Sequence, residues 1–284
     1  MKLPLTILIP TYNEEKNIAR AIESVAPFVN QVLVVDSWSC DKTLQKAKSV
    51  SDNVDVIFVE FTTFSNKMNI ALASEYIRNN WIMRLDADEV VVEPESFFYA
   101  LSAAIDDHRL DRVGFYINRR YYFLNKWIMH GGMYPRVVLR VFKKGKAQFE
   151  NKSVDEKMIL EGTTSFLDIE IADACQNGIM HWVRKHIQYA KREAADTRQI
   201  YKRTQRYDLE FDNENHENKK KYYGMPLFLR PLIYFAYRFI ARKGISDGPK
   251  GWLYHFLHAF VYRELVDYYI VKLRIEEFLK KKTS

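Results

Sequence analysis

The chain has 284 residues, enough to bury a full core as one large α/β domain or as one domain with a substantial appendage. Its 48% hydrophobic and 14% aromatic content offsets chain entropy, which excludes a low-hydropathy disordered chain. Two distant cysteines, Cys40 and Cys175, without a CxxC spacing speak against a disulfide framework or zinc site, and the net charge of +7 is uneven: residues 181–284 carry 22 Lys+Arg against 12 Asp+Glu, and residues 1–180 sum to −3.

The opening apolar run ends at Pro10, too short for a signal peptide. No stretch reaches the roughly 18 uncharged apolar residues of a spanning helix, because Arg230, Arg238, Arg242 and Lys243 punctuate the best of them. The expectation is a cytoplasmic protein in a reducing compartment that spans no bilayer. Its basic C-terminal part suits an anionic surface, or is simply solvated.

Leu5 to Ile9 predicts a strand, followed by a helix from about Glu14 with Asn13 as N-cap and Ile18, Ile22 and Val25 on one face. Val32–Val35 predicts a second strand, with Asp41 capping the next helix. Val54–Val59 is a third, then Met68, Leu72 and Tyr76 line a helix, and Trp81–Leu85 is a fourth strand. Such βαβαβαβ alternation implies a parallel sheet that takes ligands at the carboxyl ends of its strands. A helix over Glu95–Asp106 and strands at Val113–Asn118 and Val137–Phe142 follow. Residues 181–206 read as a basic helix and Asp208–Asn218 as a linker. Leu227–Ile240 and Trp252–Val271 read as aromatic helices divided by the breaker Lys243–Pro249. The division expected is a catalytic domain over residues 1–205 and a helical extension over 206–284. In that extension, Tyr234-Phe235-Ala236-Tyr237-Arg238-Phe239 suits either a membrane interface or ordinary packing on the domain.

Three acidic loops follow strands one, two and four: Asn13-Glu14-Glu15, Asp36 to Asp41, and Asp86-Ala87-Asp88-Glu89. A parallel sheet delivers all three to one rim. Acids gathered there repel one another unless a cation compensates, and carboxylates at alternate positions suit a hard ion such as Mg²⁺ or Mn²⁺ that neutralises a diphosphate.

Thr6-Ile7-Leu8-Ile9-Pro10-Thr11-Tyr12-Asn13-Glu14-Glu15, Val34-Val35-Asp36-Ser37 and Asp86-Ala87-Asp88-Glu89 together resemble the family 2 glycosyltransferases of GT-A fold. The resemblance implies an α/β nucleotide-binding sheet with a helical, basic C-terminal extension. It implies that Pro10, Thr11, Tyr12, Asn13, Glu14 and Asp36 hold the base and ribose of a nucleotide-sugar donor, a UDP-sugar foremost. Asp86 and Asp88, with Ala87 between them, would meet the diphosphate through Mn²⁺ or Mg²⁺. Lys67 and Asn69 lie where the family often places polar donor contacts, and His181 lies where some relatives take a further metal contact, or is a helix-terminal residue.

Asn125–Pro135, Arg140-Val141-Phe142 and Lys243–Gly248 are similar to the bacterial subgroup that builds lipopolysaccharide core and surface glycans. That implies a glycan or glycolipid acceptor; with the basic, aromatic C-terminal segments, an enzyme peripheral to the inner face of the cytoplasmic membrane is expected, with no nucleic-acid partner. His130 is either part of an acceptor pocket or a turn residue. Family 2 enzymes invert the anomeric centre, so a carboxylate base is needed, and Asp155 or Glu156 is expected to supply it. Two departures stand out. Trp38 occupies a position where glycine is common, with Cys40 and Lys42 also unusual, and Asp155 replaces a histidine. The rival readings are a sugar-nucleotide nucleotidyltransferase, a basic nucleic-acid-binding module and an inactive scaffold. The acidic loop after strand one opposes the first, and intact Asp36, Asp86 and Asp88 oppose the last.

Overall fold

The computed structural model describes residues 2–107, 111–150, 158–204 and 221–283. The chain divides into two compact units, one of residues 1–127 and 133–177, the other of residues 128–132 and 178–284.

The first unit is mixed α/β. Its strands β1 (Leu3–Thr11), β2 (Val29–Asp36), β3 (Val54–Phe58) and β4 (Trp81–Arg84) form a parallel set in the order β3-β2-β1-β4. Leu5, Ile7, Leu8 and Ile9 of β1 and Val32 to Val35 of β2 have no exposed surface, as expected of strands covered on both faces. The intervening helices are α1 (Ile18–Glu23), α2 (Thr43–Val50) and α3 (Phe64–Leu72). α1 starts later than the sequence predicts, and α3 ends before Tyr76.

Beyond β4 the sheet turns antiparallel. β5 (Glu89–Val91) and α4 (Pro94–Asp106) precede the long β6 (Arg112–Phe123), with which short β7 (Lys126–Ile128) pairs. β8 (Val137–Lys143) lies antiparallel between β4 and β6. β9 (Ala147–Phe149) and β10 (Met158–Leu160) form a separate hairpin. β11 (Thr163–Asp173) runs parallel to β6 and antiparallel to β5, completing the order β3-β2-β1-β4-β8-β6-β11-β5. Ile7, Ile9, Met83, Phe115 and Val141 join one core layer with α1 and α4.

The second unit is helical: α5 (Gly178–Thr204), α6 (Leu229–Ala236), α7 (Gly248–His255) and α8 (Tyr262–Thr283). α6 runs on into a π-helical turn, Tyr237–Ala241, and α7 into another, Phe256–Val261. Ala190 and Ala194 of α5 pack on Tyr262, Val266 and Ile270 of α8. The expected breaker is a 3-10 turn, Gly244–Asp247, with an organising role. The carboxylate of Asp247 accepts the backbone N–H groups of Met129 (3.1 Å) and His130 (3.1 Å), and the rings of His130 (2.7 Å) and His255 (3.1 Å) lie against it. Arg238 Nε donates to the Gly131 carbonyl (2.7 Å). Gly131 sits at φ +66°, and a Cβ there would come within 2.2 Å of the His255 ring. Only glycine tolerates both that conformation and that approach. His130 is thereby held by Asp247, a reading the sequence left open between pocket and turn. Among the described residues, no helix is long and apolar enough to cross a membrane, and neither Cys40 nor Cys175 is in a disulfide.

Arg230 and Asp267 form a fully buried ion pair, with Nε 2.8 Å from Oδ1, and Asp267 also accepts the Phe228 N–H. Asp267→Asn leaves the Arg230 charge uncompensated and should lower unfolding free energy by about 3–5 kcal/mol in urea denaturation. Arg230→Met/Asp267→Leu should recover most of it. An Asp267→Asn variant as stable as wild type would contradict this role.

Candidate functional site

The carboxyl ends of β1, β2 and β4 meet at one edge of the first unit. Sheet register sets Thr11 level with Asp36 and Leu8 beside Arg84, so Asp86, two residues on, comes level with the end of β1. The three acidic loops therefore share that edge.

Asp36 has no exposed surface. Its Oδ1 accepts from Thr11 Oγ1 (2.9 Å) and Ser39 Oγ (2.6 Å), and its Oδ2 from the Ser39 N–H (2.7 Å). Lys67, reaching in from α3, donates to the Thr11 carbonyl (2.7 Å). Burial pushes its ammonium down to about 8, against the pull of the Asp36 charge. Asp36 and Lys67 thus fix the geometry of two loops. Asn69 is engaged elsewhere: its amide exchanges two hydrogen bonds with the backbone of Phe149 in β9 (2.9 and 2.8 Å).

The loop after β1 is zipped onto the loop after β2. The Asn13 N–H donates to Ser39 Oγ (2.9 Å), the Glu14 N–H to Thr43 Oγ1 (2.7 Å) and the Glu15 N–H to Asp41 Oδ2 (3.2 Å), while Asn13 Oδ1 accepts the Cys40 N–H (2.9 Å). The expected N-cap role of Asn13 is therefore corrected. Asn13 adopts φ +54°, a left-handed conformation that asparagine tolerates, and its amide serves the neighbouring loop; Asn17 holds the position before α1. Asp41 behaves nearly as expected, accepting the Thr43 N–H (2.9 Å) at the start of α2.

Pro10 is half-buried, and Tyr12 is 60% exposed beside this knot. Trp38 was expected to lack glycine's freedom, yet it adopts φ +60°. Its ring stacks on Phe58 at the end of β3 with centroids 4.6 Å apart, a contact worth about 0.5–1.5 kcal/mol that offsets the conformational cost. Trp38 is 65% exposed, so the edge presents two aromatic surfaces.

At the end of β4 the carboxylate of Asp86 is gripped by arginines. Arg84 Nε donates to Oδ1 (2.9 Å) and Arg140 to Oδ2 (3.1 Å). Burial alone would raise the Asp86 carboxyl, but the guanidinium charges of Arg84 and Arg140 prevail and hold it well below the carboxylate range. Buried Glu89 also pairs with Arg140 and lies 3.6 Å from Arg119, and its side chain accepts the Asp86 N–H (3.0 Å). These arginines come from β6 and β8. Only Arg84 was readable as a partner, because residues 84 and 86 share one face of an extended chain. Ala87 is buried, and the half-buried Asp88 accepts the Ala174 N–H at its carbonyl (2.9 Å), which joins the turn to the end of β11.

Glu170 of β11 accepts from Tyr134 Oη (2.6 Å) and pairs with Arg120, whose guanidinium lies 4.4 Å from the Trp127 ring centroid. That hydrogen bond pushes the Tyr134 hydroxyl up to about 12. Tyr134, Arg120 and Glu170 were not foreseen as a group, since no sequence spacing links them. His181 lies exposed near the start of α5 in the second unit. Asp155 and Glu156 lie outside the described residues.

Comparison with known proteins gives this edge a context. A lipopolysaccharide core biosynthesis glycosyltransferase, LpsC of Rhizobium meliloti, is 24% identical over 91% of both chains. A further curated relative, an uncharacterised glycosyltransferase of Rickettsia typhi, is 36% identical, but over 30% of this chain and 28% of its own length. Among solved structures, S. aureus TarS 1-349 aligns over 98% of this chain and 92% of its own at 17% identity and a TM-score of 0.44. The model of glycosyl transferase family 2 matches residues 6–166, more than half of the chain and the whole of the strand-end edge just described. The protein is a glycosyltransferase and belongs to glycosyl transferase family 2.

Proposed function

We propose that the protein transfers a sugar, with inversion, from a nucleoside-diphosphate donor to a lipopolysaccharide-type glycan or glycolipid acceptor. The observation that carries this reading is the meeting of three strand-end loops at one edge, two of them tied together by the fully buried Asp36, beside the exposed Tyr12 and Trp38. The LpsC relative, matched over 91% of this chain, favours the acceptor class.

In this reading Asp36 and Lys67 are positioning residues that hold Pro10 to Glu14 and Ser37 to Ser39 rigid, which lowers the entropy lost when a nucleoside is bound. Tyr12 supplies a stacking face for the base. A UDP-sugar is the proposed donor.

Of Asp86 and Asp88, the proposed ligand of a divalent cation is Asp88. The Asp86 oxygens face guanidinium nitrogens at 2.9 and 3.1 Å, where a second cation would be repelled. No three His, Cys, Asp or Glu side chains among the described residues are grouped to hold a metal, but an ion bridging to a diphosphate needs only one or two protein carboxylates. Asp88 would hold it, and the bound ion would neutralise charge on the leaving diphosphate. An acceptor oxygen forms its bond to C1 as the bond from C1 to the diphosphate breaks, and the hydroxyl proton passes to a carboxylate. Asp155 or Glu156 is the proposed base.

The division of labour between the two aspartates is testable. Asp88→Asn should lower kcat by about a hundredfold or more, whereas Asp86→Asn should lower Tm because Arg84 loses its carboxylate partner and Arg140 keeps only Glu89. Full activity in Asp88→Asn would end the assignment. Tyr12→Ala should weaken UDP binding by about tenfold in calorimetry, and an unchanged Kd would remove the stacking role.

Lys67 adds a pH signature. Its ammonium titrates near 8 when folded, against an ordinary value of 10.5, so between these values the unfolded chain binds more protons. The ammonium therefore costs stability below about 8, and the cost fades as pH rises through that window. The unfolding free energy of wild type relative to Lys67→Met should rise by on the order of 2 kcal/mol from about pH 7 to pH 10. A flat difference would contradict a buried ammonium.

A further inference from the structure

The helix α6 and the π-helical turn that continues it are built inside out. Their two arginines point inward: Arg230 has no exposed surface and pairs with Asp267, and Arg238 is 4% exposed and bonds to Gly131 and His258. The side chains at Leu229, Leu232, Ile233, Tyr237 and Ile240 recur at helical spacing and all face outward, with Ile240 70% exposed. A soluble helix normally has the reverse arrangement.

The apolar surface extends beyond this helix. Phe235 lies edge-on to Phe256, centroids 6.2 Å apart, and Phe256 lies tilted against Phe260 at 5.6 Å, which carries the surface across to the exposed Trp252, Leu253 and Phe256 of α7 and its π-helical turn. Its charges have one sign. Residues 221–256 contain six Lys+Arg and a single acid, Asp247, which is buried. Lys221, Arg242, Lys243 and Lys250 are exposed.

We propose that this face docks on a membrane surface carrying anionic lipid headgroups, with the apolar side chains in the interface and the cations at phosphate level. An apolar strip bordered by exposed cations and no exposed acid matches that partner. A second copy of the chain does not match as well, because a two-fold contact would set the same cations against themselves. Trp252, exposed but with its Nε1–H donated to the Ile245 carbonyl (2.6 Å), has the half-apolar, half-polar character of interfacial tryptophans. The helix lies on the membrane and does not cross it. The proposal does not depend on the glycosyl-transfer reading.

The test is sedimentation of the full chain with vesicles of phosphatidylcholine alone or mixed with phosphatidylglycerol. Binding is expected to the mixed vesicles, weaker to the neutral ones, and to fall as salt rises. Leu232→Ser/Ile240→Ser and Arg242→Glu/Lys243→Glu, which alter exposed side chains only, should each lower partition by about tenfold or more. UDP binding measured on the same variants should be unchanged, which separates failure of docking from failure of the donor site. Absence of binding to mixed vesicles, wild-type partition in both variants, or a concentration-dependent dimer abolished by Leu232→Ser/Ile240→Ser would overturn the proposal.

Discussion

A carboxylate with no exposed surface, Asp36, ties the end of β1 to the loop after β2 through Thr11 and Ser39. A buried carboxylate is costly unless its oxygens are satisfied, so this position forces its neighbours into hydrogen-bonding geometry. Thr11 must turn its hydroxyl inward, Ser39 must turn its N–H back, and Lys67 brings a positive charge nearby. The adjoining residues are then locked as well, with Asn13, Glu14 and Glu15 bonded across to Ser39, Thr43 and Asp41. Much of what a nucleotide would meet on this edge is backbone and aromatic surface held by that constraint.

The second acidic group obeys a different logic. Asp86 and Glu89 are compensated by Arg84, Arg119 and Arg140 from three strands, so the end of β4 is rigid and already neutralised within the protein. Within Asp86-Ala87-Asp88, the first aspartate therefore belongs to the scaffold.

How much of this was legible in the sequence depended on how local the cause was. The parallel strands were readable because Leu5–Ile9 and Val32–Val35 are continuous apolar runs between helical segments. The acidic loops were readable because each follows such a run. The start of α1 was misplaced because Glu14 and Glu15 resemble a helical first turn, while their backbone N–H groups are claimed by residues 26 to 29 positions away. Arg140 and Glu89 are 51 residues apart, and only the antiparallel β8 beside β4 brings them together. Trp38 shows a further limit, since the stacking on Phe58 that accompanies its unusual conformation depends on a strand elsewhere in the chain. In the C-terminal helices the aromatic and basic pattern was visible, but which residues face inward was not. Arg230 and Arg238 look like exposed cations in sequence and are buried because Asp267, Gly131 and His258 receive them.

The central claim is that the edge built on Asp36 binds a nucleoside diphosphate. A thermal-shift comparison of UDP-, GDP- and dTDP-sugars, each with and without Mn²⁺, addresses it directly, because a ligand that binds only the native state raises apparent stability with its concentration. The account predicts a saturable rise in Tm with a UDP-sugar, larger when Mn²⁺ is present. No shift with any of the three, at any concentration, would contradict it.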